Sequence, residues 1–197
     1  MILVECSSLT KSYGKVKAVD GLTLTIEPGI VGLVGVNGAG KTTLLKILLG
    51  MLAPGGGSVT VLGFDPTRQG EELRQHLGYM PEHDCLPADV SASTFVAAMA
   101  QISGLPASAA RERTAEILRH VGLNEERYRP MGGYSSGMKQ RVKLAQALVH
   151  DPKLILLDEP TNGLDPARRL EMLELIGRTG REFGISVIVS SHLLSEI

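Results

Sequence analysis

Three stretches of this 197-residue chain are nearly unbroken apolar runs of strand length: Ile30-Val31-Gly32-Leu33-Val34, Leu154-Ile155-Leu156-Leu157 and Ile185-Ser186-Val187-Ile188-Val189. A strand with one wet face alternates apolar and polar residues, whereas a strand covered on both faces has no need to. The three runs therefore read as parallel strands buried between helices. Helical stretches follow two of them, Lys41 to Met51 and Pro166 to Arg178, the second opening on a proline that the first helical position tolerates. Strand followed by helix argues a layered α/β domain. Leu22, Leu24 and Ile26 instead alternate with Thr23, Thr25 and Glu27, as in a half-exposed strand of an antiparallel sheet. From about Val90 to His150 no buried-strand run occurs, while Phe95, Met99 and Ile102, then Ile117, Leu118 and Val121, recur at helical spacing with breaks at Gly104-Leu105-Pro106 and Gly122. The organisation expected is a single domain over 1–197, its core formed by 1–89 and 151–197 and interrupted by a helical insert over 90–150.

Composition narrows the function. With 20 Lys+Arg against 21 Asp+Glu, net charge −1, the chain carries no basic field for capturing phosphate backbones, so no nucleic-acid partner is expected. No apolar run approaches the roughly 20 residues that span a bilayer, and Met1-Ile2-Leu3-Val4-Glu5 lacks a signal-peptide pattern, so a soluble, cytosolic chain is expected. Cys6 and Cys85 are isolated from each other and from histidines at ligand spacing, which indicates neither a disulfide nor a zinc site.

Directly after the first buried run comes Gly35-Val36-Asn37-Gly38-Ala39-Gly40-Lys41-Thr42-Thr43, which fits G-x-x-x-x-G-K-[ST] between strand and helix. Glycines let successive backbone N–H groups converge on phosphate oxygens, and the helix beginning near Lys41 adds the positive end of its dipole. Lys41 is placed to reach the β- and γ-phosphates, and the Thr42 hydroxyl to hold Mg²⁺. The alternative is a glycine-rich turn with an incidental lysine. The second run ends in Asp158-Glu159, at the sheet edge where open α/β proteins bind ligands. Asp158 is assigned to Mg²⁺, directly or through water, and Glu159 to the attacking water as general base or orienting group, since phosphoryl transfer depends on positioning and charge stabilisation. Two surface acids at a strand end are the plainer reading of that pair alone.

The segment Tyr134-Ser135-Ser136-Gly137-Met138-Lys139-Gln140-Arg141, upstream of Asp158-Glu159, resembles the signature of the nucleotide-binding subunit of ATP-binding cassette (ABC) transporters, usually written LSGGQ. It departs from that consensus at Tyr134, Ser136 and Met138, and this variant resembles the branch energising export of drugs, antibiotics, lipids or polysaccharides. The resemblance runs from about Leu3 to the last residue. It implies a P-loop NTPase core with a mainly parallel sheet, an N-terminal antiparallel β-subdomain and an inserted α-helical subdomain. Physically, Ser135, Ser136 and Gly137 open a helix carrying Val142, Ala145 and Val149 on its apolar positions, and Ser135 could be no more than an N-cap. The resemblance implies instead that this end meets the γ-phosphate held by a partner chain, two ATP molecules being sandwiched in a head-to-tail homodimer.

Other positions carry over singly. Tyr13 matches an aromatic residue stacking on adenine, and could also be simply a strand-end aromatic. Glu82 in Gly78-Tyr79-Met80-Pro81-Glu82 stands where the family usually has Gln contacting Mg²⁺ and water; it could instead be a solvated acid. Asp165, in Thr161-Asn162-Gly163-Leu164-Asp165, matches a loop at the dimer interface and also suits an N-cap before Pro166. His192, after Ser190-Ser191, matches a histidine that donates to the γ-phosphate and keeps the water and Glu159 in line. Members usually continue past the position of Ile197 with another strand or two and a helix.

The function expected is an ATP-hydrolysing transporter subunit, by resemblance to that branch the energising part of an exporter, using ATP and Mg²⁺, peripherally attached at the cytoplasmic face through separate transmembrane permease subunits. The rivals are a soluble ABC ATPase of DNA repair or translation and a non-hydrolysing nucleotide-binding regulator.

Overall fold

The computed structural model describes residues 2–192. In chain order its elements begin with β1 (Val4–Tyr13), β2 (Val16–Ile26), β3 (Ile30–Val34), α1 (Lys41–Leu48), β4 (Gly56–Val61), α2 (Gly70–Arg74) and β5 (Leu77–Met80). They continue with α3 (Ala92–Ile102), α4 (Ala107–His120), α5 (Ser136–Leu148), β6 (Leu154–Asp158), α6 (Pro166–Phe183) and β7 (Ser186–Ser191). The three strands β2-β1-β4 form an antiparallel sheet, with Val4 opposite both Ile26 and Val61. The four strands β3-β7-β6-β5 form a parallel one, in which Gly78 faces Ile155, Ile155 faces Val187 and Val31 faces Ile188. Every residue of β6 and β7 is buried, as their unbroken apolar runs require.

One core lies between the antiparallel sheet and α1, around Leu9, Leu45, Leu48, Val61 and Leu73. A second joins the helices α3, α4 and α5 to β6 and β7, around Val96, Leu118, Leu144 and Ile155. Val142, Ala145 and Val149 are fully buried there, as their helical spacing predicts. The breaks at Gly104 and Gly122 both have positive φ, 98° and 78°. Cys6 is buried and Cys85 exposed, and both are free thiols.

Four expectations need correction. β3 is parallel but not covered on both faces: among the described residues it is the sheet's edge, and Ile30 and Val34 are 49% and 39% exposed. Its apolar side chains instead line an open cleft of about 440 Å³ shared with Leu22, Leu24 and Leu44, which an apolar run cannot distinguish from burial in a core. α1 stops at Leu48 rather than Met51, because Gly50 turns out at φ 67° and a Cβ there would strike the Pro66 carbonyl oxygen. α6 runs past Arg178 to Phe183 and closes on Gly184 in the left-handed conformation. Its Thr179 and Gly180 look like a stop in sequence, but Thr179 donates to the Leu175 carbonyl and Gly180 packs beside Ile30. In α3 the buried stripe is Ala92, Val96 and Ala100, while Phe95 and Met99 are half-buried and Ile102 is 77% exposed.

Two histidines tie helices to their neighbours, one to β5 and one to α6. His150 Nε2 donates to the Leu77 carbonyl at 2.8 Å, and burial holds its pKa below the usual histidine value. His120 Nε2 contacts Thr179 Oγ1 at 2.8 Å beside the Phe183 ring, and burial, then the Arg178 guanidinium, lower its pKa. A histidine whose folded pKa is depressed binds fewer protons when folded, so its stabilising contribution is complete above the unfolded value of 6.5 and is lost as pH falls below it. The thermal midpoint should therefore drop between pH 7 and 5, and the double variant His120→Gln/His150→Gln should show a shallower decline. An unchanged pH slope in that variant would remove these histidines from the account.

Candidate functional site

The phosphate loop is shaped by its contacts with two sheets. Gly35 N–H bonds the Ser191 carbonyl at 3.2 Å, fixing the loop's entry to the end of β7. At its exit Gly40 has φ 90°, and a Cβ there would overlap the Ala18 carbonyl oxygen of β2, so only glycine fits between loop and strand. Gly40 also occupies the N-cap of α1 with no capping side chain, and no acidic residue lies in the first turn, so the helix's N–H groups face the loop cavity uncontested. Lys41 Nζ, on a side chain only 10% exposed, donates to the Gly35 carbonyl at 2.6 Å and lies 3.3 Å from Glu159 Oε1.

Opposite the loop, the end of β6 brings Asp158 and Glu159 into the same space, 1% and 6% exposed. Asp158 Oδ1 accepts from Thr42 Oγ1 at 3.1 Å and from Ser190 Oγ at 2.7 Å. Ser190 Oγ in turn accepts from the Glu159 N–H at 2.9 Å. Glu159 itself has φ 49°, a left-handed backbone that costs a non-glycine residue roughly 1–3 kcal/mol and that occurs where the surroundings impose an orientation. Its Oε2 meets His192 Nδ1 at 2.7 Å, so the carboxylate stands between an ammonium and an imidazole. The role of Ser190 was not read from the sequence, although the serine lay inside a motif already singled out; only its burial and its two hydrogen bonds disclose it.

Glu82 follows β5 and reaches the same cleft, a space of about 220 Å³ bounded by the loop from Asn37 to Thr43 with Glu82 and Glu159. Its Oε1 accepts from Asn162 Nδ2 at 3.1 Å, and its backbone carbonyl accepts from Lys143 Nζ at 2.9 Å. Burial lowers the Lys143 pKa, opposed by the charges of Cys85, Asp84, Glu82 and Asp158. Tyr79, on β5, is pushed up to about 12 by burial, then by Asp158 and Glu82. Thr42, Asp158 and Glu82 offer hydroxyl and carboxylate oxygens, the hard donor set that Mg²⁺ takes. Among the described residues no three His, Cys, Asp or Glu side chains are grouped to hold a metal.

Three predicted groups do not line this cleft: Tyr13, the signature end and Asp165. Tyr13, at the end of β1, is 51% exposed, with Lys11 Nζ 6.0 Å from its ring centroid. Ser135 caps α5, its Oγ accepting from Met138 N–H at 3.3 Å. With Gly137 it borders a separate cavity of about 150 Å³ against Leu164 and Arg168. Asp165 caps α6, accepting from Arg168 N–H at 3.0 Å.

A family model described as ABC transporter matches residues 19–162, well over half of the chain. The chain belongs to the ABC transporter family. Relatives agree with that placement. The bacitracin transport ATP-binding protein BcrA of Bacillus licheniformis is 39% identical over 99% of this chain, and the daunorubicin/doxorubicin resistance ATP-binding protein DrrA of Streptomyces peucetius is 34% identical over 98%. The chain spans less than two thirds of these relatives, 63% and 58% of their lengths. Among solved structures, cbiO1 of Clostridium perfringens, described as part of the ABC transporter complex cbiONQ, superposes with a TM-score of 0.90 at 28% identity, covering 100% of this chain and 80% of that one. The α/β P-loop NTPase fold expected for an ABC cassette is thus the fold observed. Among the described residues no helix is long and apolar enough to cross a membrane.

Proposed function

We propose that this chain binds and hydrolyses ATP as the cassette subunit of an ABC-type exporter, acting as a head-to-tail pair on the cytoplasmic face beneath separate transmembrane subunits. The observation that carries the reading is the arrangement at the mouth of the phosphate loop, where Glu159 is held between Lys41 and His192 by 3.3 and 2.7 Å contacts. Lys41 turns its ammonium from the loop carbonyls to the terminal phosphate. Glu159 accepts the proton of the water that attacks the γ-phosphorus, the β–γ bridging oxygen leaves with ADP, and His192 keeps Glu159 aimed. Thr42, Asp158 and Glu82 would hold Mg²⁺, which when bound would supply positive charge to the phosphate oxygens.

Pairing is supported by the signature end. Ser135 and Ser136 are exposed at the N-terminus of α5 and lie outside their own chain's cleft, which leaves them for a γ-phosphate held by a second copy, with Asp165 at the same face. Tyr13, exposed at the end of β1, offers a ring face to the adenine. Export is supported by the relatives named for bacitracin transport and daunorubicin/doxorubicin resistance. Ile102, 77% exposed, with the half-buried Phe95 and Met99 beside it on α3, gives the insert an apolar face for a membrane subunit. Those relatives do not favour the DNA-repair or translation reading.

Binding of a fluorescent ATP analogue with Mg²⁺, phosphate release, and co-purification with a membrane protein of about six apolar segments test the proposal together. Lys41→Ala should weaken ATP binding about a hundredfold, the scale of losing one charged donor to a developing or bound anion in a dry site. A parent that fails to bind ATP, or a Lys41→Ala variant that binds it equally well, would remove ATP from the cleft. Recovery with nucleic acid in place of a membrane protein would refute export.

A further inference from the structure

Lys143 lies in the middle of α5, and it is 2% exposed between the buried Val142 and Leu144. A lysine is almost never this deeply buried without a partner, because its ammonium loses hydration that apolar neighbours cannot replace. The partner here is the backbone carbonyl of Glu82, 2.9 Å away. A carbonyl satisfies a donor but does not balance a charge. Of the nearby carboxylates, Asp84 is engaged by Lys139 at 2.7 Å, and Asp158 accepts from Thr42 and Ser190. The Glu82 carboxylate, by contrast, is held by the neutral amide of Asn162.

One face of α5 controls both ends of that arrangement. Gln140, three residues before Lys143 and so on the same side of the helix, donates to the Asn162 carbonyl at 3.1 Å. Lys143 therefore holds the backbone of residue 82 while Gln140 holds the residue that orients its side chain. α5 is also the helix that begins at Ser135.

We propose that Lys143 is a positioning residue of the nucleotide site: it clamps the Glu82 segment at the mouth of the phosphate cleft and supplies the positive charge that lets a carboxylate stand at position 82. This deepens the ATP reading and rests on it. Glu159 already has the Lys41 ammonium 3.3 Å away, but a carboxylate at position 82 adds a further negative charge beside a triphosphate that is itself strongly negative, and like charges at such a site weaken binding. The buried ammonium, 2.9 Å from the Glu82 carbonyl and not among the residues lining the cleft, offsets that repulsion without competing with Lys41 for phosphate oxygens. Position 82 and position 143 act as a unit, and a shift of α5 moves Glu82 with it.

The test is a double-mutant cycle of Glu82→Gln and Lys143→Met, read by the affinity for a fluorescent ATP analogue in EDTA and again with Mg²⁺. In EDTA, Lys143→Met should weaken binding about tenfold in the parent background and less than about threefold in the Glu82→Gln background, a coupling typical of residues in contact. Equal losses in the two backgrounds, or no loss in either, would overturn the proposal, since a lysine serving only the backbone carbonyl is indifferent to the side chain it holds. If Lys143→Met does not fold, the thermal midpoint of the double variant decides: a folded double variant supports charge pairing, and an unfolded one overturns it. A parent without ATP affinity would defeat the ATP reading itself, whereas a parent that binds with an additive cycle would defeat the pairing alone.

Discussion

Glu159→Gln is expected to bind ATP as tightly as the parent and to release phosphate at least about a hundredfold more slowly, the contribution of a positioned general base being 10²–10⁴. The substitution preserves the side chain's shape, and the backbone that aims it is held independently by the Ser190 hydrogen bond to the Glu159 N–H. What disappears is the proton acceptor. The loop, Lys41 and Thr42 stay in place, so the nucleotide's binding contacts survive. Because a triphosphate that persists keeps favouring the state that grips its γ-phosphate, an ATP-dependent dimer should accumulate in size-exclusion chromatography with Mg²⁺ and ATP and disperse with ADP. A variant that turns over ATP at the parent's rate would show that another group takes the proton. One that also loses ATP affinity would show that the 3.3 Å Lys41–Glu159 contact supports the loop itself.

Most of the machinery was legible because its chemistry is local in sequence. The loop from Gly35 to Thr43 declares itself by spacing, and Asp158-Glu159 by standing at the end of an apolar run whose residues are all buried. The burial of Leu154–Leu157 on both faces follows from the same apolarity. Where reading failed, the deciding contacts were distant in sequence. β1 carries a mixed pattern with register shifts after Cys6 and Leu9, so no clean alternation marks it. β5 and α2, at four and five residues, are too short for any period to emerge. The edge position of β3 depends on sheet order, which apolar content does not encode. Ser190 and Lys143 look like an ordinary strand-end serine and an ordinary helix lysine until their partners, at separations of 32 and 61 residues, are seen. Resemblance supplied Tyr13, Glu82, Asp165, His192 and the signature, and of these Glu82 lines the cleft and His192 contacts Glu159 within it.

Gly40→Ala should be far more damaging than Gly38→Ala, although both glycines sit in the same loop with nearly the same backbone, φ 90° and 83°. An alanine at either site adopts a left-handed conformation costing roughly 1–2 kcal/mol. At Gly38 nothing lies within 4 Å of the added Cβ, so that strain is the whole effect, and a loss of about 1–2 kcal/mol lowers the melting midpoint by about 3–6 °C. At Gly40 the methyl group would overlap the Ala18 carbonyl oxygen, a backbone atom of β2 that cannot swing aside as a side chain would. Either the β1–β2 hairpin or the loop must move, adding about 1–3 kcal/mol of overpacking and bringing the midpoint down by about 10 °C. The loop is the softer of the two, and its displacement carries the N–H groups at the start of α1 away from the phosphate position, so ATP affinity should fall at least about a hundredfold with the stability. Differential scanning fluorimetry with and without ATP measures both quantities on the two variants. Equal midpoint shifts would mean that the contact between β2 and the phosphate loop does not constrain the site, and that φ alone explains why glycine stands at its exit.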